Sequence, residues 1–156
     1  MTSKFNAALI AAAAIFCLPA SAFATGNLGC TIEDKNLDLD FEAIYSYSDI
    51  GGLFQLRGTL DAKSPKVYKS LRKFEIKDDD LRQQWFRGED LKLMLYRETV
   101  ADGEPHASVK LIIEAKRPSE DDMGYDGTYA LTIEPAVTGS ESQSVTVKGK
   151  VSCGAG

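Results

Sequence analysis

Three cysteines, a single histidine and several clusters of charge are the residues of this chain with chemistry within reach. Cys17 lies in an apolar leader, whereas Cys30 and Cys153 stand near the two ends of the remaining chain. An even number of cysteines in an exported chain favours a disulfide. A Cys30–Cys153 bond closes a loop of about 120 residues, worth about 5 kcal/mol in the chain-entropy account. A metal centre would need more ligands than two thiols and one imidazole.

His106 follows Pro105 beside a turn. Hydrolase triads and most zinc sites give a histidine defined partners. No G-x-S-x-G or H-E-x-x-H motif is present, so His106 reads as an exposed loop residue. Ser70-Leu71-Arg72-Lys73 matches S-x-x-K, but the S-D-N and K-T-G companions of that nucleophile motif are missing. Glu120 to Gly127 is acidic and glycine-rich, which makes Asp121, Asp122 and Asp126 candidate calcium ligands. The EF-hand pattern fails there, with Gly124 at its third position and Ile133 at its twelfth. A solvated turn is the simpler reading, and no cofactor is expected. Asp38, Asp40 and Glu42 form a carboxylate row. Spaced two apart on one strand, they describe a wet face rather than an acid–base pair.

Positive charge gathers in one place. Lys63, Lys66, Lys69, Arg72, Lys73 and Lys77 face a single Glu75 in an otherwise acidic chain. Lys66, Lys69, Arg72 and Lys73 form a candidate binding surface for an acidic protein or an anionic envelope polymer. Tyr45, Tyr47, Phe54 and Trp85 are the candidate lining of a small-ligand cavity, should the strands close into a calyx.

The elements that must position these residues follow from the pattern of the chain. Lys4, the apolar run Ala7–Leu18, Pro19 and Ala22-Phe23-Ala24 make residues 1–24 a secretory signal peptide. A bulky Phe16 before Cys17 speaks against a lipoprotein site. Removing 24 of the 156 residues leaves 132, one domain over residues 25–156, and losing Lys4 takes the formal charge from −5 to −6. That acidity excludes general nucleic-acid binding, and no later apolar run is long enough to span a membrane.

From Leu37 to Leu60 the apolar residues alternate: Leu37, Leu39, Phe41, Ala43, Tyr45 and Tyr47, then Phe54, Leu56, Gly58 and Leu60. This predicts a hairpin turning at Asp49-Ile50-Gly51-Gly52, with Tyr47 opposite Phe54 and Ala43 opposite Gly58. Ser64-Pro65 predicts the start of a short helix carrying the basic residues. An extended stretch over Arg72–Lys77 is the competing reading. Asp78-Asp79-Asp80 predicts a helical turn through LRQQWFR, stopped by Gly88, with Leu81 and Trp85 on its buried side. Alternation returns in 91–96, 108–115, 129–134 and 145–153.

The fold expected is mainly β: an antiparallel barrel or sandwich of seven to eight strands, with one or two short helices between residues 64 and 88. The function expected is that of a periplasmic or secreted, non-catalytic binding protein for a protein or envelope component. A small-ligand calyx is the alternative, and a hydrolase with a loop-built carboxylate site the second.

Overall fold

The computed structural model describes residues 25–46, 52–100, 102–119, 121–136 and 143–156. The leader with Cys17, the turn residues 49–51, Tyr47 and Glu120 lie outside the described residues. Nine strands form one antiparallel sheet: β1 (Thr25–Glu33), β2 (Leu37–Ser46), β3 (Phe54–Ala62), β4 (Lys73–Glu75), β5 (Leu81–Arg87), β6 (Asp90–Glu98), β7 (Ser108–Lys116), β8 (Gly124–Glu134) and β9 (Val145–Ala155). The one-turn helix α1 (Lys69–Arg72) precedes β4, and a 3-10 turn (Asp78–Asp80) precedes β5. The strand order is β4-β3-β2-β1-β9-β8-β7-β6-β5.

This order forces the sheet to curl. Its two edge strands, β4 and β5, are consecutive in the chain, joined only by residues 76–80. Six Cα steps span at most about 21 Å. Eight flat inter-strand spacings would need about 38 Å. The edges must therefore approach each other, and the sheet curls into a half-barrel. The strands beyond the seven that alternation marks out are these edges: β4 is the extended reading of Arg72–Lys77, and β5 takes the place of the helical turn expected over LRQQWFR.

The concave face holds the core. Leu28, Leu37, Phe41, Leu91, Ile113, Leu131 and Ile133 are fully buried there, and intervening residues face outward on the alternation that the sequence displays. Cys30 lies directly opposite Cys153 across β1 and β9, and the two form a buried disulfide. The chain's first and last strands are thus joined by both ladder and covalent bond.

The β2–β3 register differs from the expected one by two residues. Phe41 faces Gly58 and Leu39 faces Leu60. A two-residue slip keeps every side chain on its own face, which is why alternation alone could not exclude it. Gly58, at φ 144°, fits because a Cβ there would sit 2.0 Å from the Asp40 carbonyl oxygen. The ladder then slips again at a bulge where Gln55 takes φ 53°. Leu53 and Leu56 turn inward, and Phe54 turns outward.

The segment LRQQWFR is strand β5, not a helix. A shift between Leu81 and Gln83 lets Leu81 face Leu95 and Phe86 face Leu91, both inward. Gly88, at φ 57°, turns the chain into β6 as the first residue of a two-residue hairpin loop. Between residues 64 and 76 both expectations hold in part, since α1 is a single turn and β4 follows it at once. No helix of the described residues is long and apolar enough to cross a membrane.

Candidate functional site

The basic segment is anchored from beneath and charged above. Val67, Leu71 and Ile76 are buried, while Lys66, Lys69, Arg72 and Lys73 are exposed. Ser64 starts the segment as a turn: its carbonyl accepts the Val67 N–H at 3.2 Å and its hydroxyl the Lys66 N–H at 3.3 Å. Of the four expected cations, Lys73 is drawn to Asp61 on β3, at 3.7 Å. Lys63 is held at 2.6 Å by Asp38, and that hydrogen bond raises its ammonium pKa. Lys66, Lys69 and Arg72 make no ion pair among the described residues.

Two carboxylates that follow the segment in the chain are engaged elsewhere. Asp78 accepts the Leu56 N–H at 2.6 Å. Asp80, buried, receives the Arg97 guanidinium at 2.8 and 2.5 Å and the Lys77 N–H at 2.8 Å. Arg97 also donates to the Glu75 carbonyl at 2.8 Å and lies 4.1 Å over the Phe74 ring. It thereby ties β6 to the β4–β5 connection across the seam of the half-barrel. A second clasp crosses the same seam. The Leu53 N–H donates to the Gln84 Oε1 at 2.5 Å, and Gln84 Nε2 returns to the Leu53 carbonyl at 3.4 Å.

Tyr45, Phe54 and Trp85 do not line a common cavity. Tyr45 is buried, but the Phe86 ring sits edge-on to it with centroids 4.9 Å apart, and Tyr125 follows at 5.8 Å. Rings in contact fill the space that a ligand would need there. Trp85 is 55% exposed and Phe54 is 37% exposed, so neither caps the core. Phe86, one residue along, takes the inward place assigned to Trp85. The LRQQWFR stretch carries both phases, and only the bulge decides between them.

The carboxylates lie apart from one another. In the β2 row, Asp38 pairs with Lys63 and Glu42 with Arg57 at 2.9 Å, and Asp40 is exposed. Asp122 Oδ1 accepts the Gly124 N–H at 2.8 Å, and Asp121 and Asp126 are exposed. No group of three or more His, Cys, Asp or Glu among the described residues is placed to hold a metal ion. His106 is exposed in the β6–β7 loop, and Ser70 is exposed on α1. A row crossing β6, β7 and β8 comes nearest to a polar cluster. There the Tyr96 hydroxyl donates to Glu98 at 2.8 Å and the buried Ser108 hydroxyl to Glu134 at 3.0 Å. The bond to Glu98, then burial, raises the Tyr96 pKa.

One buried polar latch was not legible in the sequence. The Tyr129 hydroxyl on β8 donates to Asp34, in the β1–β2 turn, at 2.6 Å. Between them lies Gly149 of β9, where a Cβ would stand 2.4 Å from the Tyr129 ring and 2.5 Å from Asp34 Oδ2. Burial, then the bond to ionised Asp34, pushes the Tyr129 pKa up to about 12. Burial opposes charge on Asp34. The Tyr129 hydroxyl, the N–H groups of Asn36 and Leu37 and the Lys63 charge outweigh it and lower the Asp34 pKa.

No family model, curated protein or solved structure matches the chain.

Proposed function

We propose that this protein is an exported, non-catalytic binding domain whose basic segment, Lys66 to Arg72, docks an anionic component of the cell envelope. The observation that carries this reading is the pairing pattern. Lys66, Lys69 and Arg72 stand exposed and make no ion pair among the described residues, while the flanking cations Lys63 and Lys73 are paired with Asp38 and Asp61. An acidic chain with a net charge of −5 thus keeps one cationic face, and such a face steers an oppositely charged partner into contact. The leader-like residues 1–24 support export to the periplasm or beyond, as does the Cys30–Cys153 disulfide. The filled aromatic contact at Tyr45 favours a surface role over a calyx.

The test is retention of the processed protein on an envelope fraction at low and at high salt, with and without the triple change Lys66→Glu, Lys69→Glu, Arg72→Glu. Retention should weaken steeply with salt and fall about tenfold or more in the variant, since exposed charges act through screened fields. Retention that ignores both salt and the triple change refutes the proposal. Circular dichroism confirms that the variant is folded.

A further inference from the structure

We infer that the anionic partner is a carboxylated polysaccharide, gripped by the exposed rings of Trp85 and Phe54 at the seam; this rests on the cationic-surface reading above. The two rings are among the few large apolar side chains left in water. They are not scattered. Leu53 and Gln84 are hydrogen-bonded to each other across the seam. Phe54 and Trp85 are the next residues in the chain after each, and both face outward. The clasp therefore sets one exposed ring on either side of the line where the sheet edges meet. Two outward rings flanking one line supply the apolar part of such a contact.

The residues around the rings select the partner. On β5, Gln83, Trp85 and Arg87 share the outward face, facing Met94, Lys92 and Asp90 of β6. Arg87 is exposed and makes no ion pair among the described residues, and the same holds for Arg82 at the bulge. A guanidinium fork matches a carboxylate in two parallel hydrogen bonds. A flat ring face suits the apolar C–H face of a pyranose, and the Gln83 amide can meet its hydroxyls. A phosphate polymer would satisfy the cations but offers no apolar face to the rings. A chain of uronic-acid sugars meets both demands.

Trp85 is the only tryptophan of the chain, so its fluorescence reports on the platform itself. The processed protein is titrated with polygalacturonate, with inorganic polyphosphate as a charge-matched polymer lacking sugar rings, and with anionic phospholipid vesicles. Polygalacturonate should quench and blue-shift the emission, and polyphosphate should bind more weakly without shifting it. Affinity for polygalacturonate, read by calorimetry, should fall about tenfold in Trp85→Ala, the scale of one lost stacking contact. The salt dependence should be unchanged, because no charge is removed. Phe54→Ala should act in the same direction, and the thermal midpoints of both should stay near that of the parent. Equal binding of polyphosphate and polygalacturonate with unmoved emission overturns the inference and leaves the cationic-surface reading standing. So does preference for the vesicles. Failure to bind any of the three polyanions removes both.

Discussion

Replacing Tyr129 by Phe deletes one buried hydroxyl and nothing else, so it isolates the latch between β8 and the β1–β2 turn. The Tyr129 ring is 1% exposed and would stay in place. What is lost is a 2.6 Å hydrogen bond to a carboxylate, and bonds to charged groups contribute about 1.5–3 kcal/mol. Asp34 keeps its bonds from Asn36 and Leu37 and is only half-buried, so water can reach part of it. We therefore expect about 2 kcal/mol of destabilisation near neutral pH, read as a drop of about 1 M in the urea midpoint.

The pH dependence gives a sharper test. Asp34 has a depressed native pKa, so its contribution is present above the unfolded value near 4 and is lost as pH falls through the native one. Tyr129 has a raised native pKa, about 12. Its contribution is complete below the unfolded value near 10 and is lost as pH rises toward 12. The difference between parent and variant should hold steady from about pH 5 to 9 and shrink at both ends. A gap below about 0.5 kcal/mol across the neutral range, or one that widens at high pH, would refute the latch. A double-mutant cycle with Asp34→Asn should place most of the effect in the pair.

Two further outcomes test the fold. Phe86→Ala should cost about 2 kcal/mol, because the ring is half-buried against Tyr45 and Tyr125 and so falls short of the ~3–5 kcal/mol of a fully buried aromatic, while Trp85→Ala should stay within about 0.5 kcal/mol. Urea unfolding measures both, and the reverse ranking would restore a helical LRQQWFR with Trp85 inside. Replacing Cys30 and Cys153 by serine should lower stability by about 2–5 kcal/mol. Chemical denaturation with and without reductant checks this, and an unchanged midpoint would show the bond to be unneeded.

Most of the fold could be read from alternation. The strands β2, β6, β7 and β8 each bury one phase and expose the other, because a strand's side chains point to opposite faces and the pattern is written directly in residue type. The disulfide was legible too, since export context and an even count after the leader leave few partners to choose from. Where two periods fit equally well, the sequence was silent. Leu81 and Trp85 stand four apart as on a helix, and only packing of Phe86 against Tyr45 and Tyr125 selects the strand.

The candidate site was half legible. The cluster of lysines and arginines in residues 63–77 is visible in composition. Which of them stay unpaired is not: Lys63 and Lys73 find Asp38 and Asp61 on neighbouring strands, whereas Lys66, Lys69 and Arg72 find no ion-pair partner among the described residues. The aromatic platform depends on a bulge at Gln55 and on a slip near Gln83, each a local backbone choice made by contacts far along the chain. The sequence by itself therefore determined which residues are apolar, charged or cross-linked, because those are properties of single side chains and short periods. The tertiary structure alone decided which edge meets which and which charges cancel. It also decided which rings remain in water, because all three depend on pairings between strands that no short sequence period records.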